Sequence, residues 1–308
     1  RKDKISNIIK KNCDKFIIKS DFKNEEIIYN LIAETENINN RFKKKLTVNN
    51  DKSLDSLELI YNKTPFLYFL PETERLFQSS PSIRRNLIDQ FIYTSQNKYN
   101  KLVNRYNKFI QERSKVLINN DNDESWLNQL EKSISLDALQ IYSLRDNQLS
   151  VLINNLNIYL RDFDLPFKID TTLIDKFYTS KLKNEDYEET LKNNRRIDAL
   201  GGGCSIGPHK SDYMFSVNDN SFVSQLSTGQ QKTIILLMYL SQCKYLSEVK
   251  LKQPILLLDE VCSHLDDINR NVLLTLIDAF KLQIFMTGTS DNLFSFLSTN
   301  ANFCNITD

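Results

Sequence analysis

Two adjacent carboxylates, Asp259 and Glu260, directly follow the aliphatic run Ile255–Leu258. Such a run is typical of a buried strand in a parallel sheet, and sheets of this kind bind ligands at the carboxyl ends of their strands. At that place the first acid could hold Mg²⁺ and the second could take a proton from an attacking water. Taken alone, the pattern is equally typical of a strand that ends in a solvated acidic turn.

A second group of polar residues, Ser227, Thr228, Gly229 and Gln230, lies at the start of a predicted helix. Ser227 or Thr228 could cap this helix, and Gly229 would let the backbone amides approach a phosphate closely. By itself, an ordinary capped helix accounts for this pattern better than a phosphate site does.

The order of these groups along the chain is more specific than either group alone. Gly229 precedes Asp259 by one predicted helix and one connection, and Ser263 to Asp266 follow the two acids directly. This order resembles the signature sequence, Walker B strand and D-loop of ABC-type ATPases, for which we put a joint chance match at roughly one in twenty or less. A nucleotide-binding head is therefore the leading interpretation.

The elements that must position these groups follow from hydrophobic periodicity. Downstream of the glycines at 201–203, we predict a hairpin at 214–217 and 222–223, helices at 229–246 and 268–281, and strands at 255–258 and 283–287. Upstream, we predict short strands within 14–50, a buried strand at 66–70, and helical stretches from 80 to a polar break at 119–124, from 126 to 160 and from 185 to 200. The alternation of strand, helix and strand at the end of the chain indicates a parallel α/β sheet.

Composition limits the function classes. The 308 residues carry a net charge of +1, so any basic surface for nucleic acid must be local. The five cysteines form no CxxC pair, which favours reduced thiols in a cytoplasmic protein over a zinc site or disulfides. The longest apolar run, residues 234–240, is too short to span a bilayer, so we expect no membrane association.

Further segments narrow the interpretation to one family. They are Gly207-Pro208-His209-Lys210-Ser211-Asp212, Phe69-Leu70-Pro71-Glu72, the helix start at 80–89 with Arg84 and Arg85, and the strand at 283–287. In this order, from about residue 66 to 290, the segments resemble those of the RecF family. Several are not shared by ABC transporters, and the heads of SMC-type proteins would need much longer heptad arms.

The resemblance implies an α/β fold, namely an ABC-type P-loop ATPase head with a mixed sheet and an inserted α-helical lobe. The head would comprise residues 1–78 and 198–308, and the helical lobe residues 79–197.

The resemblance also implies roles for individual residues. The nucleotide held by the opposite protomer would contact Ser227, Thr228, Gly229 and Gln230, Asp259 would bind Mg²⁺, and Glu260 would be the general base. Asp266 would lie at the dimer seam, Thr289 would sense the γ-phosphate, and DNA would contact Arg84, Arg85 and Lys210. For His209, a structural role and a functional role are equally open.

RecF proteins are recombination mediators in DNA repair and replication restart and belong to the SOS response. The resemblance therefore implies a slow DNA-dependent ATPase that uses ATP and Mg²⁺ and forms an ATP-dependent homodimer. Its partners would be duplex DNA, junctions of single- and double-stranded DNA, RecR and RecO, and it would help RecA to load at single-strand gaps.

The sequence departs from this family in one respect. The Walker A loop, G-x-x-x-x-G-K-[ST], belongs upstream of the helical lobe, but no glycine precedes Gly201. We therefore expect this chain by itself to bind ATP weakly, because the main phosphate cradle is missing. The alternative interpretation is a non-catalytic DNA-binding or interaction remnant of a truncated gene.

Overall fold

The computed structural model describes residues 9–10, 13, 15–24, 27–38, 41–119, 123–218, 221–262, 266–280, 282–297 and 301–305. The chain divides into two compact units, Arg1–Pro65 and Phe66–Asp308. The strands are β1 (Ile17–Asn24), β2 (Ile27–Ile38), β3 (Arg41–Val48), β4 (Phe66–Phe69), β5 (Ile169–Ile174), β6 (Asp212–Val217), β7 (Ser221–Phe222), β8 (Ile255–Leu258) and β9 (Gln283–Met286). The α-helices are α1 (Leu54–Lys63), α2 (Pro81–Ser95), α3 (Lys98–Ile118), α4 (Glu124–Asp162), α5 (Asn184–Asn193), α6 (Arg195–Gly201), α7 (Thr228–Lys244) and α8 (Asp267–Phe280).

The first unit is an antiparallel sheet in the order β1-β2-β3, followed by α1. The strands are longer than the short apolar runs predict, because β2 pairs along one side with β1 and along the other with β3. A small core of Tyr29, Val48 and Ile60 joins the sheet to the helix. The helix α1 was not predicted; Ser53 caps it by accepting a hydrogen bond from the amide of Ser56 (3.3 Å).

The second unit is built around a parallel sheet in the order β4-β8-β9, which confirms the predicted parallel arrangement. Leu67, Phe69, Leu256 and Leu258 point to the core side of this sheet and are almost completely buried. The helix α7 packs in the same core, and every residue from Gln231 to Cys243 is buried. A helix that is enclosed on all sides needs an apolar surface all round, and the middle of α7 has one.

The opposite side of the same sheet carries three large side chains in one row across the strands. Tyr68, Leu257 and Phe285 are paired in register, and they are 46%, 38% and 51% exposed. We call these three residues the apolar row. Parallel sheets are normally covered on both faces, so within the described residues this sheet is covered fully on one face only.

The helices α2, α3 and α4 share the core of the second unit with the sheet and α7. A buried ion network joins the three helices α3, α4 and α6. Arg113 on α3 pairs with Glu131 on α4 (2.9 Å) and with Asp198 on α6 (2.7 Å), and Arg195 also pairs with Glu131 (2.7 Å). The helical stretch predicted at 185–200 is two helices, α5 and α6, and the limits of the helical lobe at 79 and 197 stay a prediction.

A third sheet, in the order β5-β6-β7, is antiparallel. The hairpin β6–β7 was predicted and is confirmed, although residues 219 and 220 between its strands lie outside the described residues. The strand β5 was not predicted. None of the described helices is both long enough and apolar enough to cross a membrane.

Candidate functional site

The two candidate acids lie at the carboxyl end of the parallel sheet, together with a threonine. The side chain of Thr287 donates a hydrogen bond to Asp259 Oδ1 (2.6 Å) and accepts one from the amide of Glu260 (3.1 Å). We call Asp259, Glu260 and Thr287 the acid corner. One hydroxyl thus ties the first acid and the backbone of the second to the end of the neighbouring strand β9.

The sheet itself places these residues together. Its hydrogen bonds continue one residue beyond the strands, because the amide of Asp259 donates to Phe69 O and the amide of Thr287 donates to Leu258 O (both 3.0 Å). The ends of β4, β8 and β9 therefore coincide, and the first residue after β8 and the first residue after β9 are each fixed by the neighbouring strand. Ligands of open α/β sheets bind at such a set of strand ends.

Glu260 has an unusual backbone conformation at the acid corner. Its φ is +54°, in the left-handed region, and its side chain is exposed. A side chain other than glycine costs about 1–2 kcal/mol in this conformation, and such residues concentrate at functional sites. The hydrogen bond from its amide to Thr287 helps to hold this conformation.

A metal ion at this corner would have Asp259 as its principal protein ligand. Among the described residues no group of three or more histidine, cysteine, aspartate or glutamate side chains could hold a metal by itself. Mg²⁺ needs no such group, because it is commonly bound through one or two carboxylates together with waters and the phosphate oxygens of a substrate. The donor set at the acid corner fits that mode of binding.

The second group of candidates lies at the start of α7. Ser227 and Gln230 form a capping box, in which the Gln230 amide donates to Ser227 Oγ (3.2 Å) and the Ser227 amide donates to Gln230 Oε1 (3.1 Å). The side chains of Ser227, Thr228 and Gln230 are exposed. The capping box leaves the first helical amides, those of Thr228 and Gly229, directed outward at the positive end of the helix, where an anion would be stabilised.

Asp266 lies next to this helix start. It caps α8 by accepting a hydrogen bond from the amide of Asn269 (2.8 Å), and its Oδ2 is 3.6 Å from the position that a Cβ on Gly229 would take. We call the start of α7 together with Asp266 the signature corner. The segment Ser263 to Leu265, predicted as part of the D-loop, lies outside the described residues.

The three residues predicted to contact DNA differ in their surroundings. Arg84 forms a two-fold hydrogen bond with Asp212 (2.8 Å for each contact) and also donates to Ser79 O (2.6 Å), while Arg85 donates to Ser211 O (2.6 Å). Both guanidinium groups bind the protein itself, and the contact of these two arginines with DNA stays a prediction. Lys210 is exposed.

The segment Gly207 to Asp212 is held between helices α2, α3 and α4. Arg145 on α4 donates to Pro208 O (2.6 Å) and pairs with Asp89 on α2 (2.8 Å). Gly207 has a φ of +129°, and a Cβ there would clash with the hydroxyl of Tyr106 on α3, so glycine is required. These contacts leave the segment rigid with Lys210 at its surface.

His209 is a structural histidine. Its Nε2 lies 3.1 Å from Cys204 O, and its Nδ1 lies 2.7 Å from the hydroxyl of Tyr106. A carbonyl only accepts, so Nε2 carries the proton and Nδ1 accepts from the tyrosine. Burial lowers the pKa of His209 to about 4, and the charges of Lys210 and Arg85 act in the same direction.

Sequence reasoning found the two acids but did not find the threonine that contacts Asp259, and the sensing role of Thr289 stays a prediction. Thr289 is exposed, and the hydroxyl that contacts the acids belongs to Thr287. The available signal was positional: Thr287 is the first residue after β9, just as Asp259 is the first residue after β8.

No family model matches the chain. Among curated proteins, the chain is 27% identical over 297 residues to the DNA replication and repair protein RecF of Rickettsia massiliae (strain Mtu5), a match that covers 94% of this chain and 80% of that protein. It is 30% identical over 233 residues to the protein of the same name from Rickettsia bellii (strain OSU 85-389), covering 73% and 64% of the two chains.

Among solved structures, the chain is similar to two described as the recombination mediator protein RecF in the RecFOR pathway, one with ATPrS and one with ATP. The TM-scores are 0.77 and 0.75, and in each case the identity is 22% and the match covers 94% of this chain and 79% of the other. This likeness confirms the predicted fold, an ABC-type ATPase head with a helical lobe.

Proposed function

Because the chain belongs to the RecF family, we propose that it acts in DNA replication and repair as a recombination mediator that binds DNA and dimerises around ATP. The observation that carries the proposal is the acid corner, where the Thr287 hydroxyl holds Asp259 and the backbone of Glu260 at the end of a parallel sheet.

In this proposal the two acids have separate roles. Asp259 binds Mg²⁺, and Glu260 accepts the proton of the water that attacks the γ-phosphate. Mg²⁺, when bound, supplies positive charge that neutralises the phosphate oxygens. Thr287 orients one oxygen of Asp259 and fixes the backbone from which the Glu260 side chain extends.

The signature corner would serve the site of a second copy of the chain. Ser227, Thr228, Gly229 and Gln230 form an exposed helix start, which suits the γ-phosphate of a nucleotide held by the partner. Asp266 lies beside Gly229 and would meet the partner at the dimer seam. Thr289, exposed after β9, stays the proposed γ-phosphate sensor.

For DNA we propose Lys210 as the primary contact among the three predicted residues. Its ammonium is exposed on a rigid segment, whereas Arg84 and Arg85 are engaged within the protein. Contacts of this kind bind phosphate without reading sequence, so binding would depend on salt. We further propose as partners RecR, RecO and duplex or junction DNA. The proposed outcome is the loading of RecA at single-strand gaps, and the proposed location is the cytoplasm.

The second candidate function is a non-catalytic DNA-binding or interaction protein. It is favoured by one observation, namely that the sequence holds no G-x-x-x-x-G-K-[ST] loop. Reading the genomic DNA upstream of the Arg1 codon separates the two functions. An in-frame loop that ends in Gly-Lys-Thr or Gly-Lys-Ser supports the ATPase, whereas a stop codon or a frameshift supports the non-catalytic protein.

The first prediction concerns Glu260→Gln, introduced into the complete open reading frame. Loss of the general base should reduce ATP turnover by about 100-fold or more while ATP still binds, so the ATP-bound dimer should accumulate. Turnover is measured by phosphate release, and the dimer by light scattering with and without ATP.

Glu189→Gln is the matched control, because Glu189 is an exposed acid on α5 outside both corners. It should leave turnover and dimerisation unchanged. If Glu260→Gln hydrolyses ATP at the rate of the unaltered protein, Glu260 is not the base.

A further inference from the structure

One edge of the β5-β6-β7 sheet is open beside a cavity of about 440 Å³. The cavity lies between β5 and the middle of α4, and it is separate from the acid corner and the signature corner. Its apolar lining comes from Leu149 and Ile153 on α4, Leu173 on β5 and Tyr213 on β6. We propose that a protein partner binds at this open edge through an extended, basic peptide segment, which adds a short strand next to β5.

The hydrogen-bonding direction of β5 shows which of its backbone groups are open. Lys168 O accepts from the amide of Asn218 (2.9 Å), so Lys168 and every second residue after it face β6. Ile169 faces the other way: its amide donates to Asn157 Oδ1 (2.8 Å), and its carbonyl accepts from Asn157 Nδ2 (2.7 Å). The side-chain amide of Asn157 thus occupies the place of a peptide group in a neighbouring strand.

Beyond Ile169 no residue that the structure describes covers the same edge. Thr171 and Leu173 also face away from β6, and both line the cavity. The amide of Thr171 is bonded to Asp170 Oδ1 (2.7 Å), which leaves the carbonyl of Thr171 and both backbone groups of Leu173 for a partner. Open strand edges of this kind bind extended peptides through main-chain hydrogen bonds.

A buried hydroxyl beside the cavity has capacity for a further hydrogen bond. Tyr213 is 1% exposed and lines the cavity, and its hydroxyl makes no hydrogen bond of normal geometry, although the buried Arg145 side chain lies close to it. Tyr213 is the cross-strand neighbour of Leu173, so the two side chains lie on the same face of the sheet. A buried hydroxyl without a partner is unfavourable, and a ligand that supplied an acceptor or donor would remove that penalty.

The charges around the cavity determine which peptide fits. Asp146 on α4 and Asp170 on β5 are part of its lining, and no lysine or arginine is. The nearest cation along α4, Arg145, is buried and paired with Asp89 (2.8 Å). A peptide with lysine or arginine beside strand-forming residues therefore complements the cavity in both charge and backbone bonding.

The test uses two synthetic pentapeptides with blocked ends, Val-Lys-Val-Lys-Val and Val-Glu-Val-Glu-Val. Binding to the 308-residue chain is followed by the amide NMR signals of Thr171 and Leu173. The lysine peptide should shift both signals, with an affinity at least ten-fold above that of the glutamate peptide. Absence of shifts at both amides, or equal affinity of the two peptides, overturns the proposal.

Two variants test the contacts. Asp170→Asn removes charge but keeps an oxygen for the Thr171 amide, and Tyr213→Phe removes only the hydroxyl; each should weaken binding of the lysine peptide about five-fold. Glu189→Gln is the charge control and should leave binding unchanged. If Tyr213→Phe lowers the melting temperature and leaves the affinity for the lysine peptide unchanged, the hydroxyl stabilises the fold and does not bind the peptide. That result would contradict the proposed contact.

Discussion

At the residue scale, His209 shows how a buried contact fixes a protonation state. Its two ring nitrogens are used by Tyr106 and by the carbonyl of Cys204, and burial favours the neutral ring in this arrangement. Because burial lowers the pKa of His209 to about 4, the unfolded chain binds this proton more readily than the folded chain does.

We therefore predict that protonation of His209 lowers the free energy of unfolding as the pH falls from about 6.5 to 4. The decrease from this group should be at most about 3 kcal/mol. Above pH 6.5 the ring is neutral in both states and its contribution is constant. The measurement is urea unfolding across this pH range for the unaltered protein and for His209→Gln. If the two proteins show the same pH dependence, His209 does not control it.

The residues of the acid corner show how far sequence reasoning reaches at this scale. Asp259 and Glu260 could be found because a strand pattern precedes them directly in the chain. Thr287 also follows a strand, but its contact with Asp259 arises from the pairing of β8 with β9, which the local sequence does not show. The positive φ of Glu260 could not be predicted either. Glycine is the usual residue at positive φ, and a glutamate at this position gives no sign of that conformation.

At the scale of elements, the arginines of α2 act as a clamp. Arg84 and Arg85 bind Asp212 and the carbonyl of Ser211, so they attach the start of α2 to the start of β6 across the sequence. The sequence shows two adjacent basic residues, which is the pattern of a solvated or DNA-binding face. Only the fold shows that their partners lie more than a hundred residues away.

We predict that Arg84→Ala lowers the free energy of unfolding by about 2 kcal/mol, because the two-fold contact with Asp212 and the bond to Ser79 O are lost. Lys210→Ala, at an exposed position, should change it by less than about 0.5 kcal/mol and should weaken DNA binding instead. Urea unfolding and salt-dependent DNA binding of both variants provide the measurements. Weaker DNA binding by fully folded Arg84→Ala, with unchanged stability, would contradict the clamp.

The elements that could be predicted are those with strong periodicity or clear end signals. The helix α7 follows from the longest apolar run, β8 and β9 follow from short uninterrupted apolar runs, and α2 follows from the proline at its start. In β5 the apolar residues are interrupted by Asp170, Thr171 and Thr172, and α1 has only ten residues. Such short segments gain most of their stability from the partners they pack against, which local sequence does not show.

At the scale of the whole molecule, the apolar row of Tyr68, Leu257 and Phe285 is the exposed surface with the clearest physical consequence. We predict that the 308-residue chain self-associates through it at micromolar concentration, because parallel sheets are stable with both faces covered. The double variant Tyr68→Lys and Phe285→Lys should sediment as a smaller species than the unaltered chain.

Ile197→Lys is the control for this experiment, because Ile197 is an exposed apolar residue on α6 outside the apolar row. It should leave sedimentation unchanged. Equal sedimentation of the double variant and the unaltered chain would show that the apolar row takes no part in association.

The apolar row also determines the conditions under which the protein should stay in solution. With an isoelectric point near 7.7 and a net charge of +1 at pH 7, two copies repel each other only weakly in ordinary buffers. Solubility should therefore pass through a minimum close to pH 7.7 and rise on either side. Because hydrophobic attraction weakens on cooling, precipitates formed at room temperature near that pH should partly redissolve in the cold.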